Sequence, residues 1–195
     1  MKIFLLGTAQ AAILYGLVCW LSYKLLPKTD LHPFLIENPF KQILFPGVVA
    51  GLLVGLTLYF LDKTVFHSSI LSEMHSIVWP GALASLYGGV NEEVLLRLFL
   101  FTFIYFLCGR IFKFTHEHRL YFLWMTNILV ALIFGLGHLP AAFKLVTPSG
   151  FEFFRIILLN GIGGIVFGWL YWSRGLWTAM TAHFVTDLMI HVFLV

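Results

Sequence analysis

Charge is the scarcest ingredient of this 195-residue chain: 12 Lys and Arg with 9 Asp and Glu amount to only 11% of it, against roughly 25% in soluble globular domains. So few charges cannot solvate a water-facing surface of this size, which excludes a soluble domain. Cysteine is scarcer still. Cys19 and Cys108 both lie inside long apolar stretches, leaving no basis for a disulfide framework or a thiolate metal centre. The net charge of +3 comes from scattered residues without a basic run, so a nucleic-acid partner has no electrostatic footprint. A cleavable leader is not expected either. The apolar run after Lys2 continues to about Leu26, and Cys19-Trp20-Leu21-Ser22 is not a small-residue cleavage site. A retained membrane helix is expected there.

What fills the chain is apolar: 60% of residues, 21 Phe among them, with a mean hydropathy of +0.93. A bilayer core about 30 Å thick needs about 20 such residues in helix, because backbone polar groups must pair internally there. Six stretches qualify, from Ile3 to Leu26, Ile43 to Leu61, Pro80 to Phe106, Leu120 to Phe143, Phe153 to Trp172 and Leu176 to Val195. The connectors between them are too short for a soluble domain. The expected fold is therefore all-α, a six-helix polytopic membrane bundle forming one transmembrane domain over residues 1–195. With the N-terminus outside, Lys24, Lys28, Lys41, Arg110, Lys113, Arg119 and Arg174 fall on the cytoplasmic side. Lys2, Lys63, Lys144 and Arg155 fall on the other, and the excess favours both termini outside. In the fifth stretch, Gly161, Gly163, Gly164 and Gly168 offer close approach to a neighbouring helix, and make it the first place to expect a re-entrant break.

Against this background the third stretch is out of character. Asn91-Glu92-Glu93-Val94-Leu95-Leu96-Arg97 puts two carboxylates and a guanidinium into a membrane helix, each costing several kcal/mol unless paired or wet (roughly 2.5–3.5 kcal/mol on insertion scales). Glu93 and Arg97 are i and i+4 and can pair within their helix. Glu92 points about 100° away and needs a partner from another helix. Three ionisable residues lie deep enough: His138 in Gly137-His138-Leu139-Pro140, where the proline should end or kink the fourth helix, and His183 with Asp187, one turn apart in the last. His191 continues that face and reads as packing or interfacial. His32, His67, His75, His116 and His118 fall in connectors.

Two chemistries suit such a set, both hydrolytic. Glu92 takes a proton from water with help from His138 while His183 supports an oxyanion. Alternatively Glu92, His138, His183 and Asp187 ligate a divalent metal, zinc being the natural choice, with an open position for water. His-Glu-x-x-His and Gly-x-Ser-x-Gly are both absent.

Glu92-Glu93-x-x-x-Arg97, then Phe134-x-x-x-His138, then His183-x-x-x-Asp187 resembles the ordered motif set of the CAAX protease and bacteriocin-processing family, also called the abortive-infection family. The approach to the last motif, with Gly168, Leu170-Tyr171, Gly175-Leu176-Trp177 and His183, is similar too. The resemblance covers roughly Pro80 to Asp187 and leaves the first two stretches unmatched. It implies an intramembrane endopeptidase, multi-pass in a bacterial plasma membrane, whose partners are membrane lipids and a membrane-associated peptide or protein. Carried over, Glu92 is the general base, Glu93 with Arg97 the structural pair, His138 a positioner or activator of water, and His183 the oxyanion support or a metal ligand. The family's last motif usually ends in Asn, where this chain has Asp187. An ionised Asp cannot donate to an oxyanion, so Asp187 is protonated, orients His183 or binds a metal. Two other readings share the scaffold: a non-catalytic binding or immunity protein, and a proton-coupled transporter using the same groups as a relay.

Overall fold

The computed structural model describes residues 2–34, 39–66, 78–113, 115–145 and 149–194. His67 and His75 lie outside them. Among the described residues there are helices and no strands. In chain order they are α1 (Lys2–Leu25), α2 (Phe45–Leu61), α3 (Val78–Tyr87), α4 (Thr102–Phe112), α5 (Arg119–Gly137), α6 (Leu139–Leu145), α7 (Gly150–Arg174) and α8 (Leu176–Leu188). Between α3 and α4 the helix continues in wider π turns, Gly88–Glu92 and Val94–Phe101. Among the described residues five helical runs are long and apolar enough to cross a membrane: Gly7–Lys28, Phe45–Phe66, Trp79–Phe112, Arg119–Lys144 and Gly150–Arg174. The bundle is a multi-pass, all-α membrane fold.

The sixth expected stretch is helical from Leu176 to Phe193 and forms the core. Thr178, Ala179, Ala182, His183 and Thr186 of α8 are buried, and α8 packs against α2, α3, α7 and the π turn Gly88–Glu92. Contact with α2 runs along Gly47, Gly51 and Gly55. A Cβ at these positions would lie 2.7 Å from Thr181 Cβ, 2.6 Å from the Ala182 carbonyl oxygen and 2.8 Å from Met189 Cβ. Thr186 Oγ1 donates to the Gly51 carbonyl at 3.1 Å across that seam. By contrast α1 rests on the π stretch Val94–Phe101 and on α4, and most of its residues are exposed.

The fifth stretch is not re-entrant: α7 runs unbroken for 25 residues. Its start is a capping box, Ser149 Oγ accepting from Glu152 N–H at 3.3 Å while Glu152 Oε2 accepts from Ser149 N–H at 2.7 Å. Its glycines serve packing, since a Cβ on Gly164 would lie 3.0 Å from Ala131 Cα of α5. Gly175 at φ 98° makes the tight turn into α8, a conformation L side chains resist. Leu176 N–H donates from this turn to the Pro33 carbonyl at 2.9 Å.

Two connectors differ from their expected limits. Helix continues past α2 through Asp62–Phe66, and Asp62 and Arg155 are buried and ion-paired, Arg155 Nε to Asp62 Oδ1. Arg155 is therefore not a loop charge that marks a membrane face. Pro140, as expected, follows a break: α5 ends at Gly137, and the proline falls in the first turn of α6, where its missing N–H breaks no helical bond.

Candidate active site

The two π segments carry the acidic motif. Such wider turns are rare and recur at functional sites, and here they flank Glu93, whose surroundings differ from those of its neighbour Glu92. Glu93 is fully buried. Its Oε2 lies 3.4 Å from Arg97 Nε, and its Oε1 is 2.9 Å from His183 Nδ1. A carboxylate only accepts, so the imidazole donates from Nδ1. Arg97, also fully buried, donates from Nη2 to the Gly164 carbonyl at 3.2 Å and sits 5.3 Å from the centroid of the Phe134 ring. The buried row Arg97, Glu93, His183 thus links the third spanning helix to α7 and α8.

Glu92 keeps 30% of its side-chain surface and faces open space. Its Oε2 is 3.9 Å from His183 Nε2, and Asp187 Oδ2 approaches the same nitrogen at 3.6 Å. The imidazole therefore spends its hydrogen bond on Glu93, the carboxylate expected to be satisfied by its own helix, and turns its other nitrogen towards Glu92 and Asp187. Phe167 stacks on the His183 ring at 4.5 Å and 16°, and Phe134 meets it edge-on at 5.6 Å. Gly88 makes the approach of Asp187 feasible, because a Cβ there would lie 2.6 Å from Asp187 Oδ2 and 3.5 Å from His183 Nε2.

His138 stands across the same space. Its Nδ1 donates to the Phe134 carbonyl at 2.9 Å, which leaves Nε2 as its basic nitrogen. All four cavity groups, Glu92, His138, His183 and Asp187, line one cavity of about 660 Å³. Apolar side chains such as Leu58, Ile156, Leu159 and Ile190 make up much of its wall, and Asp62, Lys63 and Arg155 stand in it as well. Sequence reasoning missed the Asp62–Arg155 pair, because each lies at the edge of an apolar run and reads as a connector charge. It also missed Phe167, one aromatic among 21 Phe with nothing to single it out.

Chemically, the arrangement offers two carboxylates bordering the cavity, Glu92 the more open of them, the imidazole of His138 lining the same cavity, and a histidine, His183, whose ring is held on one face, one edge and one nitrogen. Among the described residues no group of three or more His, Cys, Asp and Glu side chains is arranged to hold a metal ion.

A family model described as type II CAAX prenyl endopeptidase Rce1-like matches residues 74–189. That is more than half of the chain and takes in Glu92, Glu93, Arg97, His138, His183 and Asp187. No curated protein and no solved structure matches the chain.

Proposed function

We propose, from the premise that the chain belongs to the type II CAAX prenyl endopeptidase Rce1-like family, that it is an intramembrane endopeptidase in which Glu92 activates water for attack on a peptide carbonyl. The carrying observation is the contrast between neighbours. Glu93 is sealed away and engaged by His183 and Arg97, whereas Glu92 borders the cavity beside His183 Nε2. A general base has to reach a water molecule, and of the two glutamates only Glu92 has that access.

In this mechanism Glu92 takes a proton from water as the water oxygen bonds to the carbonyl carbon, with His138 Nε2 accepting the second hydrogen bond. The carbonyl oxygen becomes an oxyanion. His183, as imidazolium, donates Nδ1–H to Glu93 and presents Nε2–H to the oxyanion. On collapse the C–N bond breaks and Glu92 returns its proton to the leaving nitrogen. Asp187, one turn beyond His183, steadies the ring at its Nε2 edge. Glu93 and Arg97 are positioning residues. Every step runs through side chains, so activity is expected to persist in a chelator.

The apolar wall suits a membrane-associated peptide or protein as substrate, and a bacterial plasma membrane is the proposed setting. The test is peptide cleavage by the purified protein in detergent or liposomes. Glu92→Gln should abolish cleavage, a loss of at least 10²-fold for a general base (roughly 10²–10⁴), while the circular dichroism spectrum is kept. Cleavage that survives this substitution would remove the base assignment. Protection of cells from a bacteriocin by the same inactive variant would favour binding without turnover.

A further inference from the structure

At the opposite end of the bundle from the catalytic cavity, a smaller pocket of about 260 Å³ opens between the end of the first spanning helix and the end of α4. Lys28, Thr29 and Asp30 line one side, Tyr105, Phe106, Gly109 and Arg110 the other. Its charge is unbalanced. Asp30, the one acid in its wall among the described residues, is taken by Arg119 of α5. Burial pushes the Asp30 carboxyl up, yet hydrogen bonds from Arg119 and Tyr105 hold it below the ordinary carboxylate range, so its negative charge is both fixed and neutralised. Lys28 has its ammonium 5.8 Å from the centroid of the Phe106 ring. Among the described residues neither Lys28 nor Arg110 has a carboxylate partner. Two positive charges therefore face the pocket uncompensated.

The depth of the pocket identifies its occupant. The first apolar span ends at Lys28 and the third at Phe112, so the pocket lies where hydrocarbon gives way to headgroups. Tyr23 and Tyr121 are exposed at the same end of the bundle, as expected of amphipathic rings at that boundary. A guanidinium fork and an ammonium across a small cavity match a phosphodiester, and basic pockets between spanning helices suit anionic headgroups. We propose that this pocket binds the phosphodiester headgroup of an anionic phospholipid. A soluble phosphate shares the chemistry but not the depth.

Binding is tested on the full chain in neutral detergent, by native mass spectrometry and by thermal unfolding. The probes are phosphatidylglycerol, phosphatidylcholine and glycerol 3-phosphate. The wild type should bind phosphatidylglycerol at least tenfold more tightly than phosphatidylcholine. Lys28→Gln with Arg110→Gln should remove that preference, and Lys144→Gln, on the other face, should keep it. Both pocket cations are exposed, so the double variant should fold, and an unchanged circular dichroism spectrum checks this. Equal preference in wild type and double variant overturns the proposal. So does protection by glycerol 3-phosphate at the concentration where the lipid protects, which would make this a soluble-anion site.

Discussion

Arg97→Met is the perturbation that most directly probes how the site is built. The guanidinium and Glu93 are both fully buried and stand 3.4 Å apart. At an effective dielectric of about 20, two unit charges at that distance attract by about 5 kcal/mol. Removing one partner of a buried pair costs about 3–5 kcal/mol, because the other charge is left without compensation. Arg97→Met also deletes the hydrogen bond to the Gly164 carbonyl and the contact with the Phe134 ring. Glu93→Gln with Arg97→Met removes both charges while an amide oxygen still accepts from His183 Nδ1. That double variant should be more stable than Arg97→Met alone by several kcal/mol, a coupling the cycle isolates. The assay is unfolding in mixed micelles of mild and denaturing detergent, followed by circular dichroism. Peptide cleavage is measured alongside, since a displaced Glu93 releases the His183 ring. A cost below about 1 kcal/mol for Arg97→Met, or strictly additive costs in the cycle, would refute the reasoning that this pair is a buried electrostatic unit.

Gly88→Ala should lower kcat roughly 10²-fold, the price of displacing reacting groups by about an ångström, because its Cβ would meet Asp187 Oδ2 at 2.6 Å; normal turnover would mean that Asp187 has room to spare. Asp187→Asn supplies an N–H donor beside His183 Nε2 and should raise kcat roughly tenfold, equivalent to about 1.4 kcal/mol, whereas a lost activity would show that the carboxylate itself is required. Asp30 titrates below the usual carboxylate range, so its contribution is present above the unfolded-state value and disappears as pH falls through the lower folded one. Unfolding temperature should therefore drop at pH below about 4 and drop less in Asp30→Asn, and identical acid profiles would dismiss the Arg119 contact as a stabiliser.

The spanning helices and the acidic motif were legible because each was an exception to its surroundings. A run of apolar residues announces a membrane helix, and Glu92, Glu93 and Arg97 inside one announce a site, since burial makes every charge costly. His183 and Asp187 were visible for the same reason, at helical spacing. Other features had no such contrast. The π turns on either side of Glu93 leave no mark in composition, and regular 3.6-residue geometry assigns Glu93 wholly to Arg97, whereas the folded chain gives it His183 as well. The α2 glycines at positions 47, 51 and 55 lie outside the stretch that resembled the family, yet they seat α2 on the helix bearing His183. The Asp62–Arg155 pair joins residues far apart in the chain at the ends of two helices, a pairing that only the tertiary arrangement reveals.

The turn at Gly175 has a mechanical side. With its amide neighbour bonded to Pro33, the polypeptide bearing His183 is a beam supported at both ends, at this turn and where Met189 seats against Gly55 of α2. A beam with two supports resists sideways thrust along its whole span. A bulky guest in the cavity would therefore meet a stiff wall at the imidazole, about halfway between the supports.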